Sequence, residues 1–284
     1  MTKRFSVSLR YILFLLVAAS TVYTSCRKSE RDEDLETLSA RDNALAYHIF
    51  DDAWREVHRV AMQDTLLGYY DSNLIRRPNA CIQRLIISDT VPVFPLELTI
   101  NYSDVGEVCN DGFQRFGVIK ATFGARYITA SSTIIIGFDG YRKDDFDVEG
   151  LITVRNLGFD NDQPVYSIQV EDGRITGNNI DIEWEGIHTY RWVQGSATYS
   201  SIFDDVFRVT GVATGENSRG VPFTNEITSA YEADLSCQWF TKGRSELTVQ
   251  NLSPRFINYE DTNACNNILV ARRNNTYLDV EIPF

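Results

Sequence analysis

Most of the patterns that would mark this 284-residue chain as an enzyme are missing. It contains three histidines. It has no Gly-x-Ser-x-Gly elbow, no His-Glu-x-x-His helix, no phosphate-binding Walker loop and no Rossmann glycine pattern after a strand. Its five cysteines include no Cys-x-x-Cys pair, which removes the usual zinc and redox frames. Positive charge is also short, with 27 Lys and Arg against 39 Asp and Glu, a net −12. Phosphate backbones require a basic footprint, so nucleic acid is excluded as a partner. Only one long apolar run occurs, from Tyr11 to Val22. At roughly 12 residues it falls short of the ~20 that a membrane-spanning helix needs.

That run does have a reading. Lys3, Arg4 and Arg10 precede it, which gives residues 1–25 the layout of a secretory signal peptide. It ends in Val22-Tyr23-Thr24-Ser25-Cys26, which resembles the lipobox of bacterial lipoproteins, with Tyr23 standing where Leu is usual. The resemblance implies that Cys26 is acylated and becomes the first residue, held to the membrane by several chains because one alone anchors only marginally. Cleavage removes three basic and no acidic residues, which takes the charge from −12 to −15. Residues 26–34 then form the lipidated cysteine and a charged tether, Arg27-Lys-Ser-Glu-Arg-Asp-Glu-Asp34, too polar to fold alone. An acidic stretch in this place resembles the signal that sends Bacteroidota lipoproteins to the cell-surface face of the outer membrane.

Residues 35–65 are expected to be helical, because Leu38, Leu45, Ile49, Ala53, Val57 and Val60 recur at spacings of three, four and seven. Phe50 and Trp54 widen the stripe, and Asp42, Asp51, Asp52, Arg55 and Glu56 fall mostly on the other faces. This predicts an amphipathic helix laying one side on the rest of the protein. From Cys81 the periodicity changes to two, most cleanly in Ile180, Ile182 and Trp184 alternating with Asp181, Glu183 and Glu185. Asp111-Gly112, Asp139-Gly140, Asp172-Gly173, Gly195, Gly215, Gly220 and Asn274-Asn275 read as turns. Residues 66–284 are therefore expected to form an all-β antiparallel domain, a β-sandwich or flattened barrel, behind one N-terminal helix.

The domain contains a weak duplication, approximately residues 81–123 and 237–284. Ile100-Asn-Tyr-Ser-Asp104 followed by Cys109-Asn110 recurs as Ile257-Asn-Tyr-Glu-Asp261 followed by Cys265-Asn266. Cys81 and Cys237 each precede their partner frame by the same 28 residues. In an exported protein, four cysteines allow three disulfide connectivities, and the repeat favours Cys81 with Cys109 and Cys237 with Cys265. Free buried thiols are the alternative. The block from Cys81 through Pro95 to Cys109-Asn-Asp-Gly112, the Val148-Glu-Gly150 and Val209-Thr-Gly211 blocks and the final Cys265-Asn-Asn resemble a family of uncharacterised Bacteroidota outer-membrane lipoproteins. The resemblance implies a location and a β fold, and no activity.

Candidate chemistry is sparse. His48 and His58 lie about 80° apart around a helix, too far for a helical metal pair, and are expected to be half-buried or solvent-facing. His188, Tyr190 and Trp192 alternate on one strand face, with Trp184 placed across a hairpin; they form a candidate ligand-stacking surface, against which stands plain core packing. The acidic stretches Asp139 to Asp147 and Asp160 to Asp162 lack the ordered spacing of a calcium loop, so no metal or cofactor is assigned. The expected function is a lipid-anchored, non-enzymatic binding or cell-envelope interaction module. Its partners would be the membrane, through the acyl chains, and an envelope protein or glycan. The alternative is a glycan-active enzyme or inhibitor using the aromatic strand face.

Overall fold

The computed structural model of the protein describes residues 36–68, 81–102, 104–198, 201–259 and 265–284. The expected signal peptide, Cys26 and the expected charged tether lie outside the described residues. One helix, α1 (Leu38–Met62), is followed by thirteen strands: β1 (Ile82–Ile87), β2 (Leu96–Tyr102), β3 (Arg115–Phe123), β4 (Thr133–Lys143), β5 (Phe146–Asp160), β6 (Gln163–Gly177), β7 (Ile180–Gln194), β8 (Val206–Glu216), β9 (Pro222–Asp234), β10 (Lys242–Val249), β11 (Arg255–Asn258), β12 (Ile268–Arg273) and β13 (Thr276–Glu281). All thirteen belong to one antiparallel sheet in which every strand pairs with its neighbour in sequence. The all-β class with a single N-terminal helix is what the structure has.

The sheet encloses the helix. Helix α1 spans 25 residues, about 37 Å at about 1.5 Å per residue. All of them except Leu38, Arg41, Arg55 and Arg59 are buried, so the helix is not the one-sided amphipathic element expected from its stripe. Its apolar side meets aromatic rings: Phe50 stacks on Trp184, and Trp54 packs against Tyr190 and Phe207. Its polar side is equally covered, by side chains from β2, β3, β4, β7 and β9. A 3.6-residue pattern reports where apolar groups lie. It cannot report that the opposite face has been given buried partners.

Two-residue turns join β4 to β5, β5 to β6, β6 to β7 and β12 to β13. Lys143 pairs with Phe146, Asp160 with Gln163, Gly177 with Ile180 and Arg273 with Thr276. Each turn contains an Asp or Asn at positive φ, the conformation that tight hairpins demand: Asp144, Asn161 with Asp162, Asn179 and Asn274. Other expected turns are strand interior. Asp139-Gly140, Asp172-Gly173 and Gly215 sit inside β4, β6 and β8. The sheet bends there, with breaks in register between Gly137 and Arg142 and between Val170 and Gly173. Gly150, at φ +122, would bring a Cβ within 2.8 Å of the Gly173 Cα, so the bend in β5 and β6 depends on both residues lacking a side chain. The same bends make Ile180 to Trp192 one strand, with Trp184 on the same face as Tyr190 rather than across a hairpin.

The duplication is structural. Cys81 bonds to Cys109 and Cys237 to Cys265. Each bond ties the start of one hairpin to the chain just beyond it, β1–β2 in the first case and β10–β11 in the second. Ile100 and Tyr102, like Ile257 and Tyr259, point into the core. Each bond closes 28 residues, worth about 3 kcal/mol of unfolded-chain entropy. Replacing either pair by serine is expected to lower the free energy of urea unfolding by about that amount. An unchanged midpoint would contradict it.

Candidate functional site

The densest chemistry lies along the middle of α1. Asp52 receives a two-pronged contact from Arg115 on β3, Nε to Oδ2 at 3.2 Å and Nη2 to Oδ1 at 2.6 Å. Arg115 also donates to Asp111 at 3.0 and 2.6 Å. Lys143 of β4 comes within 3.2 Å of Asp52 and 2.7 Å of His48 Nε2. Because the ammonium donates to Nε2, the His48 proton sits on Nδ1 and faces the Gln238 carbonyl at 3.2 Å. Trp239 stacks on His48 with centroids 4.0 Å apart, Phe284 meets it edge-on, and Phe113 lies 3.9 Å from the Lys143 nitrogen. Asp51, one residue earlier, takes Arg55 at 2.5 Å and the Tyr190 hydroxyl at 2.9 Å.

Burial sets the charge states. It would raise the Asp52 carboxyl, but Arg115 and Lys143 outweigh it and hold Asp52 well below the usual carboxylate range. The Lys143 ammonium is pushed down to about 8 by burial, despite Asp52. Burial, reinforced by Lys143, holds His48 well below its ordinary value. Asp51 is raised by burial against the pull of Arg55.

Two further polar chains cross the core. Trp54 donates to the Tyr127 hydroxyl at 3.1 Å, leaving that hydroxyl's proton for His58 Nδ1 at 3.0 Å. His58 Nε2 then faces Asp205 at 3.3 Å, and Trp192 donates to the same carboxylate at 3.1 Å. The order Tyr, His, Asp resembles a proton relay, but Tyr127, His58 and Asp205 are buried. On the other side, Asn225 donates to Tyr47 at 3.5 Å, and Tyr47 donates to His188 Nε2 at 2.6 Å. Burial pushes His188 down to about 3.

The histidines and aromatics singled out in the sequence are therefore core groups. His48 and His58 are buried, not solvent-facing. Trp184, His188, Tyr190 and Trp192 are each 2–3% exposed, turned inward against α1, and cannot receive a ligand by stacking. The void beside His48 and Trp239 measures about 10 Å³, room for one water at most. Among the described residues no group of three or more His, Cys, Asp or Glu is placed to hold a metal ion. Sequence reasoning missed Arg115 and Lys143: Asp51 and Asp52 fall away from the apolar stripe, and nothing in the helix pattern signals that cations from β3 and β4 cover that face.

Two open depressions lie on the outer face. One, about 350 Å³, is acidic, with Glu149, Asp172, Glu183, Glu185 and Glu216 around Arg174. The other, about 300 Å³, crosses the last strands and carries Arg244, Arg272, Phe256 and Tyr277. No family model, curated protein or solved structure matches the chain.

Asp52→Asn would leave Lys143 and part of Arg115 buried without a counter-charge. A loss of about 3–5 kcal/mol in unfolding free energy is expected, against less than about 1 for Lys120→Ala at the exposed Lys120–Asp139 pair. Equal losses at both sites would refute the clamp. Acid should also weaken the fold through His188. The unfolded chain takes the proton near pH 6.5 and the folded one only near 3. This contribution is therefore intact above pH 6.5 and declines below it, by about 1.4 kcal/mol per pH unit. His188→Gln, which keeps an acceptor for Tyr47, should flatten the pH dependence of stability between pH 6 and 4 by about that slope. Parallel curves for the two proteins would contradict the assignment.

Proposed function

We propose that the chain is an exported, lipid-anchored binding module of the cell envelope, attached to the outer membrane through Cys26 and displayed at the cell surface. The observation that carries this reading is where the reactive residue types are used. His48, His58, His188, Asp51, Asp52 and Lys143 all lie in the core, and the void beside His48 and Asp51 takes no more than a water. Recognition is left to the outer face and the connections, as in a module whose interior serves rigidity. The cysteine pairing supports the anchor, since four of the five cysteines are cross-linked to one another and Cys26 is the one remaining. The charged segment that follows Cys26 fits a tether between lipid and domain. A glycan-directed enzyme or inhibitor working through Trp184, His188, Tyr190 and Trp192 has no exposed ring to work with.

The anchor is tested by growing producing cells with an alkyne-tagged fatty acid. Label is expected in the mature protein and absent from Cys26→Ala, which should be released in soluble form. Label persisting in that variant would remove the anchor. Added protease should degrade the protein on intact cells, and full protection would place it on an inward-facing leaflet.

A further inference from the structure

The depression over the last strands differs in kind from the rest of the surface. Register alone puts its parts together. Phe256 of β11 lies opposite Arg272 of β12, and Arg272 opposite Tyr277 of β13, giving one cross-strand row on the outer face. The next row on the same face runs Arg244, Asn258, Val270, Asp279. Val270, 8% exposed, and the short Asn258 form a low floor beside the larger Phe256, Arg272 and Tyr277. The result is a notch of about 300 Å³ rather than a flat strand surface.

Its chemistry is selective. The Arg272 guanidinium lies 5.1 Å over the Phe256 ring, which orients it while leaving its N–H edge open. Among the described residues Arg272 has no carboxylate partner. Among the described residues the lining holds no Asp or Glu, although Glu246 faces Phe256 and Asp279 faces Val270 across the neighbouring strands, and the chain as a whole has a net charge of −12. Tyr277 is 61% exposed, an aromatic face turned to solvent in the same row as the guanidinium. Thr228, whose hydroxyl donates to the Arg244 carbonyl at 3.3 Å, and Asn258 complete the lining.

We propose that this notch binds an acidic saccharide, with a sugar carboxylate or sulfate paired to Arg272 and the pyranose face laid on Tyr277. Guanidinium forks match such oxyanions, and an amphipathic aromatic ring suits a sugar's apolar face. The volume is at the lower end of ligand sites and suits a short stretch of glycan. The assignment rests on the binding-module reading above and names its ligand class.

The full mature protein is titrated calorimetrically with an oligogalacturonate, with its methyl-esterified neutral counterpart, and with a sulfated oligosaccharide of similar length. At least one acidic probe is expected to saturate a single site, and the preferred one shows whether carboxylate or sulfate is read. The neutral ester should bind about tenfold or more weaker, as should Arg272→Gln with the acidic probe, because a charge-assisted fork is lost. Tyr277→Ala should weaken binding as well. Both positions are exposed, so thermal midpoints should not move, and Arg174→Gln in the acidic depression should bind like wild type. Failure of both acidic probes, equal binding of the neutral ester, or affinities indifferent to both substitutions would each overturn the proposal. Fatty-acid labelling of the same protein reports separately on the anchored-module reading, so the two can fail independently.

Discussion

A helix that carries Asp, Glu, Arg and His around its circumference can be enclosed only if the enclosing sheet answers each charge. The Asp52 carboxylate is where that condition is most demanding, since it is held by Arg115 of β3 and Lys143 of β4 together. Much else is positioned by it. Lys143 is also the partner of His48, and His48 is where Trp239 from the β9–β10 connection and the terminal Phe284 meet. Gln238 in the same connection donates to the Asp111 carbonyl at 2.6 Å, and the Asp111 carboxylate binds Arg115. One cluster thus joins early strands, late connections and the chain end around a single turn of helix. A buried ion pair adds little stability over a hydrophobic replacement. What it does here is tie one turn of α1 to β3 and β4 at once, so that removing either side leaves a buried charge unanswered.

Much of this was legible beforehand. Period-two alternation in β7 gave the right inward set, and the expected helix overlaps the observed one within about three residues at either end. The disulfides followed from a repeat, because equal spacing of cysteines reflects equal hairpins. The misreadings have a common origin. Gly140 and Gly173 read as turns in the sequence because a glycine beside an aspartate looks the same in a hairpin and in a bulge, and Gly215 reads as one because glycine alone is a turn signal. Which one forms depends on whether the neighbouring strand continues past it, a tertiary fact. The helix was taken as one-sided for the same reason. The notch at Arg272 left no trace in the sequence, because cross-strand rows join residues that are 5 to 16 positions apart with no periodic relation.

The outer face separates charge in a way that the net value conceals. Five carboxylates surround the depression on β5 to β8, while among the described residues the lining of the depression on β9 to β13 has arginines and no carboxylate, Glu246 and Asp279 standing outside it. Distances beyond about 8–10 Å are screened at physiological salt, so each depression presents its own local potential to a small ligand. An anion would be repelled from one side of the sheet and accepted on the other.

The order of elements along the chain has a kinetic side. Each strand pairs with the next, so the sheet can grow hairpin by hairpin as the chain emerges. The helix is made first, yet its partners come late: Arg115 lies 63 residues beyond Asp52, Asn217 lies 178 beyond Ser39, and Gln238 lies 190 beyond His48. Glu56 and Asp52 find Tyr102, Arg115 and Lys143 by the middle of the chain, but Ser39, Tyr47 and His48 lack Asn217, Asn225 and Gln238 until the final third is present. The element made earliest is thus fully enclosed only once the later strands are in place.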